Sequence, residues 1–344
     1  MKQSNKREGL RLTLYIFMIV ILVYVAVYMP TPYIIYQPGT AEEVKPMISI
    51  EKGDTAEKGT FMMTTVSASY ANLAMLTMAA FNSNAQVDKK QARLGDKSED
   101  EYAAEQVFYM SDSQSSAMEA AYHEAKVPYE ILPEYLFVIS TADGDTTRFQ
   151  PGDKLIAIND KPVTDNAALG TLLTGKQVGE EITVKLERGG EPLTEKVKLV
   201  SIKDTKTSQT RPGLGVMIAT MQKVTTKDPG KQVHFENTRV GGPSAGLMFT
   251  MEIYNQLTIG DLTKGYRVAG TGTIVEDGTV GPIGGVQHKI VAATRENAEI
   301  FFVPKDNYKE AKAKADKIKS PMKLVSVNKL EDAIQYMNGL QAKS

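Results

Sequence analysis

The apolar and polar positions of this chain change rhythm several times, and each rhythm predicts a different element. From Leu12 to Met29 the sequence reads LTLYIFMIVILVYVAVYM, eighteen residues without a charge. Roughly 20 apolar residues cross the core of a bilayer, so this run predicts a transmembrane helix. Phe61–Tyr70 (FMMTTVSASY) is rich in apolar and β-branched residues, is bounded by Gly59, and predicts a strand; an apolar stretch follows at Asn72–Phe81. Ala85–Lys126 is polar and charged, with helical spacing at Tyr102, Val107, Phe108 and Met118. It predicts a solvated helical connector, with the acids of Glu99–Glu105 on a helix face rather than in a metal site. From Val127 to Val200 short strands and turns take over. Tyr135-Leu136-Phe137-Val138-Ile139 predicts a buried strand, Ala142-Asp143-Gly144-Asp145 a turn, and Pro151–Val163 a turn, a strand and a hairpin. A helix at Asn166–Leu173 and strands at Glu181–Arg188 and Glu195–Val200 complete this part. Beyond Arg211 come a strand at Val216–Ala219, a short one at Val233-His234-Phe235, and an apolar helix from Ala245 to Leu257.

Charge fixes the expected orientation of the first element. Lys2, Lys6, Arg7 and Arg11 precede the apolar run against a single Glu8, which places the N-terminus in the cytoplasm and everything after Tyr33 outside. A cleaved signal peptide is the alternative. Against it, the run is longer than a usual signal core, Ala26-Val27-Tyr28 lacks the small-x-small pattern, and Gly39-Thr40-Ala41 lies too far downstream. An uncleaved single-pass anchor in the cell membrane is therefore expected.

Composition removes competing chemistries. Cysteine is absent, so no thiol nucleophile, disulfide or thiolate metal site exists. His123, His234 and His288 form no H-E-x-x-H pair, and no metal or other cofactor is expected. No G-x-x-x-x-G-K-[ST] stretch occurs in the sequence. Net charge is −1 with scattered basic residues, which gives no reason to expect nucleic acid. At 344 residues the chain has room for about two domains besides the anchor.

The chemistry-bearing residues lie in two small-residue turns. Gly241-Gly242-Pro243-Ser244-Ala245-Gly246 ends where the apolar helix begins, with Pro243 suited to a first helical turn. A helix start offers free N–H groups to a developing oxyanion, here from the backbone of Gly241, Gly242 and Ser244. Serine is also a common helix cap, so Ser244 alone decides little. Forty-five residues later, Gly284-Gly285-Val286-Gln287-His288-Lys289 puts a lysine at the start of another helix, beside Val286, Ile290 and Val291. A free lysine has a pKa of about 10.4, but desolvation lowers it toward the range of a working base. Ser244 and Lys289 together fit a nucleophile and its base, a variant of the serine–histidine pair. A serine paired with His288 or His234 is the rival hydrolase. A peptide-binding scaffold with an inactive protease-like domain is the non-enzymatic alternative.

Two resemblances organise these motifs. The run from Gly152 to Val163 (GDKLIAINDKPV) resembles bacterial PDZ domains, over some 75 residues. Such domains add an extended peptide to an open sheet edge, which the resemblance puts along Tyr135–Ile139, with Val127–Leu132 near a carboxylate-binding loop. No G-L-G-F loop stands there. Gly213-Leu214-Gly215-Val216 is read instead as the entry to the next part.

GGPSAG, then Gly270-Thr271-Gly272-Thr273-Ile274, then GPIGGVQHK and Phe301-Phe302-Val303-Pro304-Lys305, resemble in order the proteolytic domain of Lon proteases over about 130 residues. With the anchor and the PDZ-like part, the chain resembles the membrane-anchored, ATP-independent Lon-like PDZ serine proteases of Gram-positive bacteria. The resemblance implies Ser244 as nucleophile, Lys289 as general base, Thr271 as the residue that orients the lysine, and peptides or exported proteins as substrates. It leaves a homo-oligomer open. One departure stands out: Gly241 replaces an aspartate common in ATP-dependent relatives. The expected fold is an α+β multidomain chain: a cytoplasmic tail (1–11), the anchor (12–32), a strand and helical connector (33–126), a PDZ-like β-rich domain (127–203) and a Lon-type α/β domain (211–340).

Overall fold

The computed structural model describes residues 2–142, 148–203, 210–236 and 240–343, with residues 2–8 as backbone alone. The turn expected at Asp143-Gly144-Asp145 and the side chains of Lys2, Lys6 and Arg7 lie outside what is described. In chain order the elements begin with α1 (Lys2–Tyr28), β1 (Pro30–Glu43), β2 (Ile48–Ile50), β3 (Thr60–Asn72), α2 (Leu73–Ala80), β4 (Gln86–Lys89), α3 (Lys90–Leu94) and α4 (Glu99–Glu124). The middle of the chain gives β5 (Tyr129–Thr141), β6 (Lys154–Ile158), β7 (Lys161–Pro162), α5 (Asn166–Leu173), β8 (Glu181–Arg188), β9 (Glu191–Lys198), β10 (Val200–Lys203), β11 (Thr210–Gly213) and β12 (Val216–Thr226). The last part gives β13 (Val233–Phe235), α6 (Gly246–Leu257), β14 (Arg267–Gly270), β15 (Thr273–Ile274), β16 (Val280–Gly281), α7 (Val286–Arg295), β17 (Ile300–Pro304), α8 (Tyr308–Ile318), β18 (Lys323–Val327) and α9 (Leu330–Asn338).

Gly9–Tyr28 within α1 is long and apolar enough to cross a membrane. The larger sheet runs β18-β17-β14-β3-β1-β4. β3, β14, β17 and β18 are parallel, and β1 and β4 add antiparallel at the other side. Helices cover both faces, so its central strands are apolar throughout, as a two-sided sheet requires. Phe61, Met63 and Phe302 point toward α6 and α9, while Met62, Phe301 and Val303 point toward α7 and α8.

Within residues 33–126, read as a strand and a helical connector, the strand expected at Phe61–Tyr70 lies in β3, but the segment is part of the large sheet rather than a connector to it. β1 and β3 are integral to it, and β3 lies directly beside β14. α4 is not solvated all round either: Ser113, Ala117, Ala120, Ala121 and Tyr122 are buried. Its acidic start is a helix face as expected. Ser98 accepts from the Glu101 N–H at 3.1 Å, and the Glu101 carboxylate accepts from the Ser98 N–H at 2.8 Å. This reciprocal cap secures the first turn.

The smaller sheet runs β12-β5-β6-β8-β9, with β7 on β6, around Leu136, Val138, Leu155, Ile158, Val184 and Leu186. Two expectations change here. Tyr135–Ile139 lies inside β5, which pairs with β12 on one side and β6 on the other. Its backbone groups are committed to ladders, so it offers no open edge. β12 is the edge strand, entered through Gly213-Leu214-Gly215, with Leu214 buried in this core. The segment after Arg211 thus first completes the small sheet before the chain returns to the large one.

Candidate active site

Ser244 sits two residues before α6, and the turn that presents it is gripped from the side by α4. The Gly242 N–H donates to the Gln106 carbonyl at 2.9 Å, and Ser113 Oγ donates to the Pro243 carbonyl at 3.0 Å. Gly242 has φ +89°, a conformation that glycine adopts without strain. A side chain at Gly246 would come within 2.9 Å of Ile274 and 3.0 Å of Ser113 Oγ, so the close approach of α4 needs a glycine there as well. Gly241 abuts the same helix: a Cβ would stand 2.9 Å from Gln106 Cβ. The missing aspartate therefore has a steric reason, because α4 occupies its place.

Lys289 enters from the first turn of α7. Its side chain is 3 % exposed, among Val286 and Ile290 and beneath the large sheet. Nζ lies 2.8 Å from Ser244 Oγ, 3.1 Å from Thr271 Oγ1 and 2.8 Å from the Thr64 carbonyl oxygen. Burial alone pushes its ammonium down to about 7. Thr271, fully buried, ties the two halves together. Its hydroxyl donates to the Ser244 carbonyl at 2.9 Å and accepts from Lys289, while its N–H is held by the Phe302 carbonyl of β17 at 3.0 Å.

The expected residues Ser244, Lys289 and Thr271 thus meet around one point. His288 turns the other way. It is hydrogen-bonded to the Asn84 backbone, and burial and Lys314 push its imidazolium pKa below the usual range. His234 is exposed on β13. Neither histidine reaches Ser244, which removes the serine–histidine alternative.

The expected oxyanion donors need one correction. The Gly242 N–H is already spent on Gln106. The Ser244 and Ala245 N–H groups, at the open start of α6, find no partner among the described residues. Reading the sequence missed Ala245 in this role, the Thr64 carbonyl, and the grip of Gln106 and Ser113. A backbone carbonyl leaves no signature in a sequence. The small residues Ser113, Ala117, Ala120 and Ala121, spaced for one helix face, were a signal that α4 is packed.

Comparison with known proteins finds similarity in two segments of the chain. Residues 217–338 match the Lon protease (S16) C-terminal proteolytic domain, and residues 136–199 match the PDZ domain. Two segments of the chain are thus similar to known domains, one to the Lon proteolytic domain and one to PDZ domains. The Lon protease of Metamycoplasma arthritidis is 32 % identical over 118 residues, 31 % of this chain and 14 % of that one. Lon protease 2 of Borreliella burgdorferi is 31 % identical over 114 residues, 33 % of this chain and 14 % of that one. The matched part of the chain spans about a seventh of the length of these relatives. Among solved structures, the PDZ domain of an SdrC-like protein from Listeria monocytogenes is 20 % identical, covering 25 % of this chain and 88 % of that one, with a TM-score of 0.22.

Proposed function

We propose that this Lon-like protein is an ATP-independent serine endopeptidase, anchored in the cell membrane by α1, that performs limited proteolysis of exported proteins or secreted peptides outside the cytoplasm. The observation that carries the reading is the 2.8 Å contact between Ser244 Oγ and a lysine whose burial brings it to about 7. A neutral amine has two N–H donors and one lone pair. Thr64 and Thr271 accept the two hydrogens, which aims the lone pair at Ser244.

The steps follow from that aim. Lys289 takes the hydroxyl proton as Ser244 Oγ bonds to the scissile carbonyl carbon. The negative charge on the carbonyl oxygen falls to the free Ser244 and Ala245 N–H groups, where preorganised donors count most. The lysine ammonium then gives its proton to the leaving amine as the C–N bond breaks. Water, deprotonated by the same lysine, releases the acyl group and returns the serine.

The PDZ domain supplies a place for an extended stretch of substrate at the outer edge of β12, which among the described residues pairs on one side alone. The partly buried Val216 and Ile218 of β12 and Ala168, Leu169 and Leu172 of α5 line that side of the core. Addition of a strand gives affinity through main-chain bonds and selectivity through side-chain pockets.

The full chain in detergent, incubated with an unstructured protein without ATP or metal, tests the reading beside Ser244→Ala and Lys289→Met. Cleavage by the parent alone is expected. Equal cleavage by either variant would contradict the pair.

A further inference from the structure

No Asp, Glu, Lys or Arg occurs between Lys58 and Asp88. The last part of this uncharged run makes α2, LAMLTMAA, capped by Asn72, whose Oδ1 accepts from the Met75 N–H at 2.8 Å. One side of α2 is seated on the sheet: Ala79 is buried, and Met75 and Leu76 pack with Ile35 and Ala71. On a water-facing helix the opposite side is polar. Here it presents Leu73, Met78 and Phe81, the last two 73 % and 89 % exposed. Thr77, also on that side, spends its hydroxyl on the Leu73 carbonyl at 2.9 Å within the helix. Single exposed apolar residues are ordinary, but a whole bare helix face marks a contact surface.

Its position names what that surface meets. Only Met29 separates α1 from β1, so no flexible linker lifts the sheet away from the apolar helix. Asn72, at the start of α2, donates from Nδ2 to the Val27 carbonyl at 2.8 Å, near the end of α1. α2 lies against α1, whose Val25 and Val27 are its least exposed large apolar side chains, at 40 % and 42 %. The rings of Tyr24 and Tyr28 stack at 4.8 Å at the same level, the residue type that collects at a membrane–water boundary.

We propose that α2 is a second membrane contact: its Leu73, Met78 and Phe81 face enters the outer interfacial layer of the lipid bilayer beside the end of α1. This rests on reading α1 as the membrane anchor. Apolar side chains beside a spanning helix gain from lipid what they lose in water, and an internally bonded threonine suits that medium. With two contacts instead of one swivel, the body that holds Ser244 and Lys289 keeps a fixed tilt and height over the bilayer.

The chain contains no tryptophan, so a single substitution makes a single reporter. Full-length Phe81→Trp and Leu22→Trp proteins would be placed in phosphatidylcholine–phosphatidylglycerol vesicles brominated at shallow or deep acyl positions. The expected result is about twofold quenching of Leu22→Trp by deep bromines, and of Phe81→Trp by shallow ones, with Phe81→Trp shielded from aqueous iodide. Leu22→Trp quenched by lipid with Phe81→Trp open to iodide overturns the proposal and leaves the anchor standing. Leu22→Trp untouched by any bromine overturns the anchor and the proposal with it. Phe81→Trp shielded from both quenchers also overturns it, and points to a second copy of the chain as the cover.

Discussion

Helix α6 has one buried ionisable group beside its start and another in its middle, and the contrast between them separates a catalytic environment from a merely buried one. At its start, desolvation brings Lys289 down to about 7. In its middle, desolvation and the neighbouring Glu57 push fully buried Glu252 up to about 7. Both groups are thus poised where a general acid or base works well. Lys289, however, touches a half-exposed hydroxyl and is held by two further acceptors that orient it. Glu252 accepts from Gln256 at 2.6 Å, its second oxygen has no partner among the described residues, and the nearby Glu57 is engaged with Lys45 and Asn255. A shifted pKa is therefore a consequence of burial, and contact with a nucleophile open to substrate is what gives it work.

The sharpest way to break this contrast is to neutralise each group in turn. Lys289→Met, which keeps the volume and removes the base, should lower kcat/KM for a peptide by about 10²- to 10⁴-fold. Glu252→Gln should leave it within about twofold, since it touches nothing that reacts. Comparable losses in both, measured side by side, would erase the distinction.

Stability should respond in the opposite manner. The Glu252 carboxyl titrates higher when folded than when unfolded, so the unfolded chain loses its proton first as pH rises. The stability it leaves intact below the ordinary carboxyl range is lost as pH climbs from about 4.5 through about 7. Denaturant unfolding at pH 8 should find Glu252→Gln more stable than the parent by about 2 to 3 kcal/mol, with the gap closing toward pH 4. A gap that stays constant with pH would show that the carboxyl is not desolvated.

Thr271→Val refines the comparison, because it keeps Lys289 buried and removes its guide, together with the hydroxyl's bond to the Ser244 carbonyl. The loss of aim should cost about 10- to 100-fold in kcat with little change in KM. For the parent, kcat/KM should rise about tenfold per pH unit below the lysine's pKa and level off above about 7, since the neutral amine is the active form. The smallest effect belongs to the PDZ domain. Leu169→Lys should raise KM about fivefold for a long substrate that spans the β12 edge, and leave a short peptide unaffected.

The legibility of these regions in the sequence follows how local their signals are. Ser244, Thr271 and Lys289 each stand in a short run of glycines and small residues that fixes a tight turn, and such turns are written in neighbouring residues. α5 and β8 were bounded to the residue, because caps and β-branched alternation are equally local. The β12–β5 pairing joins residues some 80 positions apart, and no local pattern tells an edge strand that closes one sheet from one that opens the next. α4 was misread for a different reason: its buried face is built from Ser and Ala, which pack closely but register weakly as apolar. The grip of Gln106 on Gly242 acts through a main-chain carbonyl, so side-chain identity says nothing of it.

The most direct measurement is the ionisation of Lys289 itself, followed by the ¹³Cε resonance of labelled lysine in the full chain and assigned with Lys289→Met. One lysine signal should titrate near 7 while the others remain charged, and it should be the signal that the substitution removes. A Lys289 signal that stays charged until about pH 10, like a solvated lysine, would contradict its role as the base for Ser244.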